Sequence, residues 1–117
     1  NIYPSDESRM MAEMGDHHFR MGNIFTHNPE ALFFGPVMQE LAAAGVNDAL
    51  PVCADCAFAP YCGADPVRRY QVTGSVYGRP GEDDFCIKNR GIISLVIKKL
   101  TEGDSQTRQL LMQWGLQ

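Results

Sequence analysis

The sequence has no run of 18 or more apolar residues and opens with no signal-peptide pattern, so neither a membrane-spanning helix nor a secretory leader is read from it. It also lacks a concentrated basic face. Ten lysines and arginines stand against fourteen aspartates and glutamates, for a net charge of -4, and the cations are scattered apart from Arg68-Arg69 and Lys98-Lys99. A nucleic-acid footprint needs clustered cations, so neither nucleic acid nor a membrane is expected as a partner. There is no internal repeat and no low-complexity tract. Hydrolytic machinery is missing as well: Ser5 and His27 have no matching partners for a nucleophile–base pair. The chain begins Asn1-Ile2-Tyr3-Pro4 without a methionine, as if entering mid-strand, and reads as a piece of a longer protein.

Cysteine is scarce, and its few positions are the most informative in the chain. The 117 residues hold 4 cysteines. Cys53 and Cys56 form a C-x2-C, Cys62 follows after five residues, and Cys86 follows after a further twenty-three. A C-x2-C turn lets two sulfurs face one ion or cluster from a single tight loop. Cys62 and Cys86 close larger loops, but each doubling of loop length adds only about 0.6 kcal/mol of closure entropy, which a metal bond outweighs. The remainder is ordinary for a globular domain, 44% hydrophobic and 21% charged. A chain of this size builds only a modest core, so a metal staple matters more than it would in a larger domain.

Three chemistries fit four cysteines. A secreted chain would pair them as two disulfides, but Cys53 and Cys56 are too close for a comfortable bridge with each other, and the uneven spacing suits one shared centre. Zinc and an iron–sulfur cluster both take four thiolates, and composition does not separate them. Zinc ribbons carry two C-x2-C knuckles where this chain has one. The apolar loop Ala57-Phe58-Ala59-Pro60-Tyr61 suits shielding of a redox cluster and equally suits plain packing.

The expected fold is α+β, a single domain over 1–117. Residues 1–27 read as a small antiparallel hairpin, with Ile2-Tyr3-Pro4 and Phe19-Arg20-Met21 as its strands and one or two helical turns near Arg9–Met14 between them. His17 and His18 read as solvated loop residues rather than metal ligands. Asn28-Pro29-Glu30 starts a helix over 28–45, with Asn28 as cap and Pro29 at the first helical position. Leu32, Phe33, Val37 and Leu41 are its core face, and Pro36 should kink it or begin a second helix. The cysteine region covers 51–86, with Val67–Tyr77 short-strand-like or irregular. Over 85–114 two helices are expected. The stripe Ile87, Ile92, Ile93, Val96, Ile97 and Leu100 of the first faces the core, and the second runs from Asp104 or Ser105 to Trp114 with Leu110, Leu111 and Trp114 apolar. A cysteine in a first helical turn gains from free N–H groups and the helix dipole, which favour the Cys86 thiolate, with Asp83 and Asp84 opposing slightly. Asp6, Glu7, Glu13 and Asp16 read as a solvated acidic face, and Arg68-Arg69 as ordinary surface.

Cys53-x2-Cys56-x5-Cys62, preceded by Arg20-Met21-Gly22-Asn23-Ile24 and a helix, resembles the SPASM domain, the C-terminal auxiliary-cluster module of radical S-adenosylmethionine enzymes that modify peptides and proteins. The stretch from Cys56 to Pro66 is most similar to the maturases that accompany His-Xaa-Ser repeat peptides, with sulfatase-maturase-like relatives. The resemblance implies that Cys53, Cys56, Cys62 and Cys86 bind one [4Fe–4S] cluster, with zinc able to take its place in a fragment made in air. Full domains of this family hold a second cluster, but two of its ligand positions are Ser5 and Pro66 here. Serine is a poor ligand and proline none, so a single-cluster variant is expected. The C-x3-C-x2-C loop of the radical chemistry is missing from the chain, which is therefore not expected to be active alone. The resemblance further implies an upstream radical barrel in the same polypeptide, a peptide or protein substrate, a role in electron relay or substrate positioning, and a cytoplasmic location. The alternative from a different class is a stand-alone zinc-stabilised binding module.

Overall fold

Capping residues punctuate the chain into short helices. The computed structural model describes residues 1–116. Helix α1 (Asp6–Glu13) starts on a capping box between Ser5 and Ser8, with Asp6 and Glu7 in its first turn. Asn28 caps α2 (Pro29–Phe33), its side chain accepting the Ala31 N–H at 2.7 Å. Pro36 then opens a separate helix, α3 (Pro36–Gly45), instead of kinking α2. A 3-10 turn over Asn47–Ala49 leads into α4 (Pro51–Ala54), and a second 3-10 turn, Ala59–Tyr61, precedes Cys62. Asp65 and Pro66 repeat the cap-plus-proline signature at the start of α5 (Pro66–Thr73). Asp83 caps the long α6 (Asp84–Glu102), and Asp104 caps α7 (Ser105–Gly115).

The expected α+β fold with an N-terminal hairpin is not what forms. The described residues are predominantly helical, and the two ends of the 1–27 region meet only in one isolated antiparallel bridge, Ile2 with Gly22. Its hydrogen bonds run from Ile2 N–H to Gly22 O at 2.8 Å and from Met21 N–H to Ile2 O at 3.0 Å. The ladder stops there for identifiable reasons. Pro4 has no N–H to donate. The Ser5 N–H is taken by the Ser8 side chain in the cap of α1, and the backbone before Met21 is used in turns such as Arg20 N–H to His17 O at 3.0 Å. Val67–Tyr77 also departs from expectation: a helix forms over most of it, because the Asp65-Pro66 start outweighs the β-branched and aromatic residues that suggested a strand.

The core is small and lies between α1, α3 and α5. Met11, Phe19, Ala44, Val67 and Val76 form its buried centre, with Val37, Leu41 and Tyr70 packed against it. Leu32 is buried as expected, but Phe33 is largely exposed. His18 is not a free loop residue: its ring stacks on Tyr70 with centroids 4.3 Å apart and its Nε2 lies 2.9 Å from Glu40. Within the acidic face, Asp6 and Glu13 pair with Arg9, and Asp16 accepts the His18 N–H.

The stripe of α6 does not face a core. Ile87, Ile92, Val96, Ile97 and Leu100 are exposed, as is Leu95 among them, and Ile93 is half-buried. On α7 Leu110 and Trp114 are exposed and Leu111 is half-buried, and neither helix contains a fully buried residue. These two helices pack on one another and extend the molecule to 57 × 31 × 26 Å. The radius of gyration is 17.9 Å, against about 13 Å for a compact domain of this length. No helix among the described residues is long and apolar enough to cross a membrane.

Candidate functional site

The four cysteines come from three separate local structures. Cys53 is on α4 and Cys56 is two residues beyond its end, where the Cys56 N–H bonds back to Cys53 O at 3.1 Å. Chained turns follow, Ala59 N–H to Cys56 O at 3.0 Å and Tyr61 N–H to Phe58 O at 2.9 Å, and deliver Cys62 in an extended conformation. The Asn47 side chain holds the Cys62 carbonyl from the other side. Cys86 is in the first turn of α6, its N–H donating to Asp83 Oδ1 at 2.8 Å.

All four are free, half-buried thiols that line one cavity of about 320 Å³. Asn47, Val52, Phe58, Arg69, Gly81 and Arg90 contribute to the same wall. Donors point at the sulfurs. The Gly81 N–H reaches Cys86 Sγ at 3.1 Å, Arg69 Nη2 stands 3.9 Å from the same atom, and Asn89 Nδ2 is 4.0 Å from Cys62 Sγ. Such contacts favour thiolate over thiol. No three His, Cys, Asp or Glu side chains among the described residues gather tightly enough to hold a metal ion. The two observations are compatible. Four zinc-bound sulfurs would stand only about 3.8 Å apart, given a zinc–sulfur bond of about 2.3 Å in a tetrahedron. These cysteines line one cavity without such a grouping among the described residues.

Burial dominates the acidity of Cys86. Desolvation pushes its thiol up, Asp83 adds to that rise, and the Gly81 N–H and Arg69 oppose it. Against the expectation that the helix start would favour the Cys86 thiolate, burial and Asp83 push the thiol up. The Asp83 side chain takes the backbone N–H of Cys86, and the half-buried sulfur has lost water.

Arg69 is the residue that sequence reading placed wrongly. It is 3% exposed, with Nε 3.2 Å from Asp83 Oδ2 and its guanidinium carbon 5.7 Å from the centre of the Phe85 ring. Its Nη1 is buried without a hydrogen-bond partner. Helix α5 thus serves two sides: Val67 and Tyr70 join the core, and Arg69 joins the cysteine cavity. No pattern in the sequence separates Arg69 from Arg68, which pairs with Asp84 at the surface. Asn89 carried no sequence signal either, while Gly81 was visible only as a loop residue. Of the shielding loop, Phe58 and Ala59 are half-buried on the cavity wall, whereas Tyr61 is 70% exposed.

Ser5 and Pro66 do structural work. Ser5 is the cap of α1, and Pro66 is the first residue of α5.

No protein-family model matches the chain, and neither a curated protein nor a solved structure matches it.

Proposed function

We propose that this chain is the auxiliary [4Fe–4S]-cluster domain, of SPASM type, of a radical S-adenosylmethionine enzyme that modifies a peptide or protein. The observation that carries the reading is that Cys53, Cys56, Cys62 and Cys86, the only cysteines in the chain, line one cavity, with Gly81 and Arg69 of its wall directing N–H donors at Cys86 and Asn89 directing one at Cys62. Both a four-iron cluster and zinc take four thiolates; the resemblance of the cysteine spacing to the auxiliary-cluster module favours the cluster. The use of Ser5 and Pro66 as helix-start residues supports one cluster over two.

The four thiolates would hold the cluster, each supplying one sulfur, and their half-burial limits access of water. When bound, such a cluster takes up and releases single electrons. Gly81, Arg69 and Asn89 orient and hold charge on the ligand sulfurs. With four protein ligands there is no open position for substrate, so the role is electron relay or support of a peptide-binding surface, beside a radical barrel upstream in the same polypeptide and in the cytoplasm.

The deciding measurement is iron and acid-labile sulfide in protein reconstituted without oxygen, with Cys86→Ala as control. About four of each per chain, lost in the control, are expected. Zinc alone, with no sulfide and no iron uptake under those conditions, would make the chain a zinc-stabilised binding module. Zinc in a sample made in air would not distinguish the two, because it can replace a lost cluster.

A further inference from the structure

We infer that Arg69 is a positioning residue for the cysteine-held centre, one that stabilises its more reduced, more negative state. The inference rests on the auxiliary-cluster reading and deepens it. A buried arginine costs solvation, and replacing a buried ion pair with apolar residues is often neutral or stabilising. Stability alone therefore does not account for one here. What the guanidinium faces does. Nε is engaged by Asp83 at 3.2 Å, Nη2 lies 3.9 Å from Cys86 Sγ, and Nη1 is a buried donor without a protein acceptor. All three belong to a side chain on the wall of the four-cysteine cavity.

The side chain is held in that pose along its length. Gly78 lies directly against its stem, so close that a Cβ there would stand 2.9 Å from Arg69 Cγ and Cδ. Phe85 lies beneath the guanidinium. Arg68 gives the contrast: its Nε is also buried and unpaired, but it does not line the cavity and its Nη2 goes to Asp84.

One electron added to a cluster raises its negative charge by one. A fixed cation and N–H donors at a ligand sulfur favour that state over the oxidised one, which is a recognised lever on cluster potential. The couple involves the oxidised centre and a single electron from a low-potential one-electron donor, with no bond broken and no proton required. Arg69 is thus expected to make the centre easier to reduce.

The test is potentiometry on the full chain after anaerobic reconstitution, with iron and sulfide measured on every sample. Arg69→Met keeps an unbranched stem as far as the Nε position and removes both charge and donors. At iron and sulfide contents equal to the parent, its potential should fall by at least the equivalent of a tenfold loss in preference for the reduced state, about 59 mV for one electron. Arg69→Lys should restore part of the difference, and Arg68→Met should leave the potential unchanged. Should Arg69→Met not fold because Asp83 is left buried and unpaired, the double variant R69M/D83N removes both charges while Asn still caps α6. It should show a smaller shift of the same sign. A fully loaded Arg69→Met or double variant with the parent potential would overturn the role of Arg69. Parent protein that takes up no iron and sulfide would instead overturn the cluster reading, and the inference with it.

Discussion

Gly78 and Arg69 are fitted to one another. Gly78 has φ +59°, and a Cβ added to it would come within 3.0 Å of Arg69 Cβ and 2.9 Å of its Cγ and Cδ. These are stem atoms of a buried, ion-paired side chain, which has little room to yield. Gly78→Ala should therefore cost more than the roughly 1–2 kcal/mol of a left-handed backbone alone. Gly74→Ala supplies the comparison, since Gly74 has φ +74° and nothing within 4 Å of an added Cβ. Urea unfolding should rank Gly78→Ala as clearly the less stable. Equal losses would mean that Arg69 moves freely.

Core and surface substitutions should separate sharply. Phe19 is 1% exposed and packs edge-on against Tyr70 at 5.1 Å, so Phe19→Ala should destabilise by about 3–5 kcal/mol. Leu95, in the middle of α6, is 56% exposed, and Leu95→Ala should change stability by no more than about 0.5 kcal/mol. Denaturant midpoints of the isolated chain decide this. A large loss at Leu95 would mean that the stripe of α6 is covered in solution.

The contrast between Leu95 and Phe19 also marks how far the sequence could be read. Helix starts were legible because Asn28-Pro29, Asp104 and the α6 cap act through local chemistry that needs no distant partner. The same signature at Asp65-Pro66 reads as a turn beside strand-like composition, and it starts a helix all the same. The hairpin failed because pairing depends on what the intervening residues do, and Pro4 and Ser5 end the ladder after one bridge. Periodicity identified an apolar stripe on α6 but contains nothing about whether another surface covers it. The four cysteines could be chosen as site residues from their spacing. Arg69 could not, because its burial arises from the approach of Gly78, Asp83 and Phe85, which lie beyond the reach of local patterning.

Ser5 offers a test of whether the N-terminal region takes part in the cysteine site. Its hydroxyl accepts the Ser8 N–H at 3.3 Å, and the Ser8 side chain accepts the Ser5 N–H at 3.1 Å. Ser5→Ala should cost about 1 kcal/mol through loss of the cap and lower the thermal midpoint accordingly. Iron and sulfide per chain should stay at the parent level. A loss of iron in a variant that remains folded would assign Ser5 a ligand role that its capping geometry argues against.

The last expectation concerns pH and Asp83. This carboxylate accepts the Cys86 N–H through Oδ1 and the Arg69 Nε–H through Oδ2, and it adds to the rise that burial imposes on the Cys86 thiol. A thiol that ionises later in the folded chain binds its proton more tightly there. In the metal-free protein this contributes stability below the ordinary thiol range, and that contribution is lost as pH rises through the native value. Asp83→Asn keeps an oxygen to cap Cys86 but removes the negative charge and leaves Arg69 as an uncompensated cation near the sulfur. Both changes move the Cys86 thiol down. The midpoint for iodoacetamide modification of Cys86, followed by mass spectrometry of its peptide in metal-free protein, should shift to lower pH in Asp83→Asn. Asp83→Ala loses the cap as well, at about 1 kcal/mol, together with one partner of a buried ion pair, at about 3–5 kcal/mol, and should unfold first. An unchanged or higher midpoint in a folded Asp83→Asn protein would show that burial alone governs Cys86 and that the Asp83–Arg69 pair does not act on its sulfur.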